Sequence, residues 1–194
     1  MKFKKEKAKS IFRVYLELSK LNILSLVLVA TFLGYYMGNN GIGELSRIFY
    51  TLLGTSLTAA GSGALNHYLE RNQDKYMERT KNRPLPAGLI SPLNVIIYGV
   101  LMIIGGSLFL VFKINLLTGF LSLLTAFLYV IVYTPLKRIT WLNTSIGSIP
   151  GAMPIIGGWT AATGEIGTMA WILFGIMYLW QHPHFYSIAW MCKE

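Results

Sequence analysis

The sequence predicts an all-α fold, a polytopic transmembrane helix bundle of six spans. The chain is 54% hydrophobic and only 13% charged. Its apolar residues come in runs of about 17 to 25, the length that crosses roughly 30 Å of hydrocarbon. Those runs are continuously apolar rather than alternating, which selects helices over barrel strands. The spans fall at about 21–38, 46–69, 92–112, 114–133, 143–162 and 168–190.

The first span follows a basic segment, is too long for the apolar region of a cleavable signal peptide, and lacks a small-residue cleavage pattern. It is therefore expected to stay. The second span runs directly into a polar stretch, residues 66–88, which returns the chain to the third. Three connections, Gly38 to Glu44, Lys113 to Asn115 and Thr163 to Gly167, are short turns with no metal-binding cluster. Small residues such as Gly34 and Gly38, or Gly157 and Gly158, are expected to let helices approach closely. In the fifth span, Gly147-Ser-Ile-Pro-Gly-Ala-Met-Pro154 sets two prolines inside a glycine-loosened helix, which predicts a kink or break.

Charge orients the spans, because Lys and Arg collect on the cytoplasmic side. Lys2, Lys4, Lys5, Lys7, Lys9, Arg13 and Lys20 precede the first span. Arg71, Lys75, Arg79, Lys81 and Arg83 fill the second inner segment, and Lys137, Arg138 and Lys193 the remaining ones. Only Arg47 and Lys113 fall outside, so the N-terminus is expected in the cytoplasm. A Lys-rich start with Glu6 and Glu17 argues against a mitochondrial transit peptide and for a bacterial plasma membrane. The net charge of +9 is a topology signal, with membrane lipid and not nucleic acid as the partner. The single cysteine, Cys192, excludes an intrachain disulfide.

The chemistry is expected in residues 66–88. Asn66, Glu70 and Asp74 stand at i, i+4 and i+8, on one helix face that drifts by only about 40° per step. Acids at a membrane edge need a partner, and oxygen donors of this kind suit a hard divalent cation such as Mg²⁺. Mg²⁺ takes one or two carboxylates plus substrate phosphates, so the set implies a phosphorylated ligand, with the neighbouring bases holding its remaining charge. The same spacing also fits a solvated loop with local ion pairs.

The pattern Asn66-x3-Glu70-x3-Asp74-x2-Met77-x-Arg79-Thr80-x2-Arg83-Pro84-Leu85 resembles the first acidic motif of the UbiA-type intramembrane prenyltransferases, and its tail resembles their haem-farnesylating branch. Later blocks agree in order and distance: Tyr133-Thr-Pro-Leu-Lys-Arg138, Gly147-x3-Gly151-Ala-x-Pro154, and Trp180-Gln181-x-Pro183-His184-Phe185. The resemblance implies transfer of a farnesyl group from farnesyl diphosphate to a vinyl group of haem b, giving haem O and diphosphate. It implies Mg²⁺ at Asn66, Glu70 and Asp74, with haem b as substrate and not cofactor. Arg79, Lys81, Arg83, Lys137 and Arg138 would bind the diphosphate, Tyr133 would stabilise an allylic cation, and His184 would orient haem. His67 and His182 read first as packing residues. A haem A synthase or terminal oxidase assembly is the implied protein partner.

The sequence departs from the broader superfamily at His67 and Glu70, where Asp is frequent. The family bundle has nine helices, so residues 1–194 are expected to form one prenyltransferase domain lacking its C-terminal three. Two alternatives stand beside this reading: a sister enzyme using an aromatic or quinone-precursor acceptor, and an ion-coupled transporter, for which the acids would form a relay. The absence of an internal repeat and the clustering of acids with bases favour the enzyme.

Overall fold

The computed structural model describes residues 10–137, 139–140 and 142–191. Arg138, Cys192, Lys193 and the bases from Lys2 to Lys9 lie outside them. Every regular element among the described residues is helical: α1 (Ile11–Leu18), α2 (Leu21–Gly38), α3 (Leu45–Asp74), α4 (Pro92–Lys113), α5 (Leu116–Phe127), a π-helical segment (Leu128–Tyr133), α6 (Thr134–Leu136), α7 (Asn143–Thr163) and α8 (Thr168–Met191).

Four helical runs are long and apolar enough to cross a membrane: α2, α3, α4, and the continuous stretch Leu116–Leu136 from α5 through α6. The two other expected spans are present as α7 and α8, of 21 and 24 residues. They fall short in apolarity, not in length. Ser, Thr, Asn and Pro dilute α7, whereas Trp, Tyr, His and Gln dilute α8. The sixfold count therefore reduces to four on these criteria. Outward-facing Leu101, Phe112, Leu116, Phe120 and Ile176 are exposed, the arrangement of a bundle whose surroundings are lipid.

Small residues set the helix contacts. A Cβ added at Gly158 would lie 1.9 Å from the carbonyl oxygen of Thr31, and one at Gly34 would lie 2.0 Å from that of Ile155. The backbones of α2 and α7 therefore touch, as close packing between membrane helices requires. α7 runs unbroken through Pro150 and Pro154, against the break expected from sequence. Both prolines lie within helix packed by α2 and α8, and the tertiary contacts outweigh the lost backbone bonds. The helix stops at Gly164, whose φ of 83° is the left-handed cap that glycine adopts without strain.

The bundle has two distinct ends. At one, Arg47 donates to the Ala161 carbonyl oxygen at 2.9 Å, Asn115 donates to that of Thr160 at 2.9 Å, and Lys113 lies over the Tyr50 ring at 5.6 Å. At the other, α1 lies across the bundle, with Val14 and Leu18 buried against Ala64 of α3, Leu85 of the following loop and Val95 of α4. The acidic stretch belongs to this second end.

Gly158 and Gly157 give a paired test of the α2–α7 seam. Gly158→Ala is expected to destabilise the bundle by about 1–3 kcal/mol through overpacking. Gly157→Ala, whose Cβ meets nothing within 4 Å, should leave stability unchanged or slightly raised. Unfolding of each variant in detergent would check the contrast.

Candidate active site

The last two turns of α3 carry Asn66, Glu70 and Asp74 as the spacing predicts, and each meets a cation from a different segment. Asn66 is fully buried. Its carbonyl oxygen accepts from the Lys20 ammonium, and its amide donates to Thr134 Oγ1 at 3.0 Å. Glu70 pairs with Lys137 Nζ at 3.0 Å. Asp74, only 4% exposed, receives one guanidinium nitrogen of Arg83 on both carboxylate oxygens, at 2.9 and 2.8 Å.

The loop after α3 explains why Arg83 reaches back. Thr80 Oγ1 donates to the Asp74 carbonyl oxygen at 3.0 Å. Successive turns follow, with Arg83 N–H bonded to Thr80 O and Ala87 N–H to Arg83 O. Pro84 and Leu85 are buried, Leu85 in the core beside Val14 and Leu18. The Arg-Pro-Leu segment thus anchors two apolar residues and leaves the preceding guanidinium facing the acid. The other bases of the loop turn away. Arg79 and Lys81 are exposed, and Lys81 pairs with Glu78 at 2.6 Å. Of the five predicted anion-binding bases, the structure brings Arg83 and Lys137 to the acidic face and leaves Arg79 and Lys81 outside it; Arg138 lies outside the described residues.

Three residues of the site were not marked by sequence reasoning. Lys20 caps α2 with φ 50° and ψ 58°, a left-handed conformation that costs a non-glycine residue about 1 kcal/mol or more. The turn swings its side chain from the α1–α2 junction onto Asn66. Burial lowers its ammonium from the ordinary lysine range to about 8, opposed by Glu70 and Asp74 and assisted by Arg83 and Lys137. Thr134 both accepts from Asn66 and donates to the Tyr129 carbonyl oxygen at 2.8 Å. That same oxygen accepts the Thr134 N–H, the wide bond of a π-helix. Pro135 follows directly, and its missing N–H is the only sequence hint of the shift. Tyr129, the third, supplies this shared acceptor.

Tyr133 stands beside the acids through Lys137, whose Nζ lies 4.7 Å from its ring centroid while also pairing with Glu70. Its ring packs against Gly147 of α7, where a Cβ would come within 2.3 Å. His184 is elsewhere. It is exposed on α8 and stacked on Trp180 at 4.8 Å. His182 faces inward instead: Nδ1 lies 2.9 Å from the Tyr178 carbonyl oxygen and must donate to it, leaving Nε2 to accept from Ser145 at 3.1 Å. His67 is buried with neither ring nitrogen bonded.

The donor chemistry at Asn66, Glu70 and Asp74 fits Mg²⁺. All three supply hard oxygens, all lie on one face, and each side chain already attracts a cation. Among the described residues no group of three His, Cys, Asp or Glu forms a complete metal cage. Any Mg²⁺ held here would complete its shell with water and ligand oxygens.

Arg83→Met would leave the buried Asp74 carboxylate without its counter-charge. The expected loss is about 3 kcal/mol or more, partly recovered in the Asp74→Asn, Arg83→Met double variant. Chemical unfolding in micelles followed by tryptophan fluorescence would measure both.

Residues 27–194 match the UbiA prenyltransferase family. A protoheme IX farnesyltransferase of Solibacter usitatus is 43% identical over 191 residues, covering 94% of this chain and 65% of the relative. One from Salinibacter ruber is 46% identical, covering 93% and 64%. The mitochondrial protoheme IX farnesyltransferase of Homo sapiens is 40% identical, covering 91% and 40%. The chain thus spans just under two thirds of the length of the bacterial relatives. A solved digeranylgeranylglyceryl phosphate synthase superposes with a TM-score of 0.77 at 18% identity, covering 87% of this chain and 58% of that one, a likeness of fold alone. The helical bundle, the acidic face of α3 and a family match over most of the sequence converge on one assignment: this chain is a member of the UbiA prenyltransferase family.

Proposed function

We propose that this chain is a haem-farnesylating enzyme, which joins C1 of the farnesyl group to a vinyl carbon of haem b. The allylic C–O bond breaks and diphosphate leaves with the bonding pair; the vinyl π electrons form the new bond to C1, and water adds to the cation left on the inner vinyl carbon with loss of a proton, giving haem O. The observation that carries this reading is the acidic face of α3 with its three cations, in a chain 40–46% identical to proteins bearing that activity in their name.

Ionising an allylic diphosphate requires charge stabilisation on the leaving group more than a protein nucleophile. Mg²⁺, held by Glu70, Asp74 and the Asn66 carbonyl oxygen, would supply Lewis-acid charge there. Arg83 and Lys137 are placed to receive the non-bridging oxygens, each already ordered by a carboxylate. The Tyr133 ring, beside Lys137, offers a π-face to the allylic cation. Apolar packing by Leu18, Leu85 and Val95 behind this end limits entry of water from that side. His184, with its stacked Trp180, is the candidate haem-orienting residue, and Arg79, Lys81 and Arg138 are candidates for outer contacts with the diphosphate. In this reading α7 and α8 also cross the membrane, a bacterial plasma membrane, with the N-terminus and the acidic end in the cytoplasm. A haem A synthase or terminal oxidase assembly takes the product.

Membranes holding the natural full-length protein, given haem b, farnesyl diphosphate and Mg²⁺, are expected to form haem O, seen by chromatography and mass, and to stop when chelator is added. Prenylation of an aromatic acceptor in place of haem would overturn the reading. Asp74→Ala is expected to lower turnover by at least about 100-fold while inserting normally. Near-native turnover by that variant would remove Asp74 from the metal set.

A further inference from the structure

The charges on the acidic face do not balance. Among the described residues Glu70 and Asp74 are its carboxylates, yet three cations, Lys20, Lys137 and Arg83, converge on the same turns. Lys137 and Arg83 each neutralise one acid. Lys20 has only the neutral Asn66 oxygen as its hydrogen-bond acceptor among the described residues, although Glu70, Arg83, Lys137 and Asp74 all act on it electrostatically. An amide oxygen is a weaker acceptor for an ammonium than a carboxylate or phosphate oxygen. The chain nevertheless holds Lys20 there at the cost of a left-handed backbone, with α1 fixed behind it by Val14 and Leu18.

We propose that Lys20 is an anion-receiving residue that gives the metal-free site one surplus positive charge, so that diphosphate binds ahead of the divalent cation and independently of it. This rests on the reading of the acidic face as a diphosphate site. A divalent cation arriving alone would add to the surplus. A diphosphate reverses it, and in drawing Lys20 to a phosphate oxygen it frees the Asn66 carbonyl oxygen. The oxygen that is to hold the metal is released by the substrate that needs the metal. Lys20 thus orders the two binding events, through a contact no part of the acidic motif reveals.

The test is calorimetric titration of inorganic diphosphate into the full-length protein in nanodiscs of zwitterionic lipid, with chelator present and then with Mg²⁺. The wild-type protein should bind diphosphate under chelator. Lys20→Met should weaken that binding by about tenfold or more, and Lys20→Arg should keep it within about threefold, the range expected for loss or retention of one charged hydrogen bond. Mg²⁺ titrated alone should bind Lys20→Met more tightly than wild type. Equal diphosphate affinity in wild type and Lys20→Met, or wild-type binding that requires Mg²⁺, overturns the proposal. Diphosphate that binds only with Mg²⁺ removes the order and spares the diphosphate site; diphosphate that binds under neither condition removes both. Should Lys20→Met fail to fold, the wild-type titration under chelator still decides.

Discussion

A carboxylate at the end of an apolar bundle persists in its charged form only if something of opposite sign is brought to it, because desolvation without a partner costs several kcal/mol. The second end of this molecule is organised around that requirement. Asp74 is 4% exposed and Asn66 fully buried. The cations that meet Asn66, Asp74 and Glu70 come respectively from the α1–α2 junction, the loop after α3 and the turn after α6, segments that local contacts alone would not bring together. The ionic contacts and the apolar cluster of Val14, Leu18, Leu85 and Val95 support each other: the cluster fixes the backbones from which the cations reach, and the cations allow acids to lie beside it. Removing one member should therefore disturb the whole end rather than one bond.

Further along the bundle the controlling factor is volume. Gly34 and Gly158 bring α2 and α7 into backbone contact, Gly147 admits the Tyr133 ring, and Gly151 leaves room for the buried Gln181, which donates to the Ser148 carbonyl oxygen at 3.1 Å. Tyr133 is thus held beside Lys137 from the α7 side. Of the small residues of α7, Gly147 is the one that bears on the acidic end, through the Tyr133 ring that lies beside Lys137.

Much of this was legible in the sequence. Span positions followed from apolar runs, because hydrocarbon thickness constrains length directly. Asn66, Glu70 and Asp74 sharing a face followed from helical period, Arg83 from its nearness to the acids, and Lys137 only from the family resemblance. What escaped depends on three-dimensional placement. Lys20 read as one more topology-setting base, since nothing local announces a left-handed turn that redirects it. Arg79 and Lys81 were indistinguishable from Arg83 by type, and only burial of Pro84 and Leu85 separates them. Of the kink or break expected at Pro150 and Pro154, the break did not occur, because neighbouring helices keep α7 helical through residues whose intrinsic preference is to interrupt it. α7 and α8 are long enough to span, but their polar and aromatic content blurs the hydropathy signal on which span counting depends.

The π-helical segment from Leu128 to Tyr133 carries a consequence for how this site tolerates change. A π turn accommodates one more residue than the α turn it replaces, so it sets the angular phase of everything downstream. Closing that turn into regular α geometry without removing a residue would swing the following residues by about 100°. Thr134 would leave Asn66 and Lys137 would leave Glu70, though neither had been altered. The site is therefore specified by a backbone hydrogen-bond pattern as well as by side chains, and a protein that kept every charged residue while this turn relaxed to α geometry would keep the composition of the site and lose its assembly.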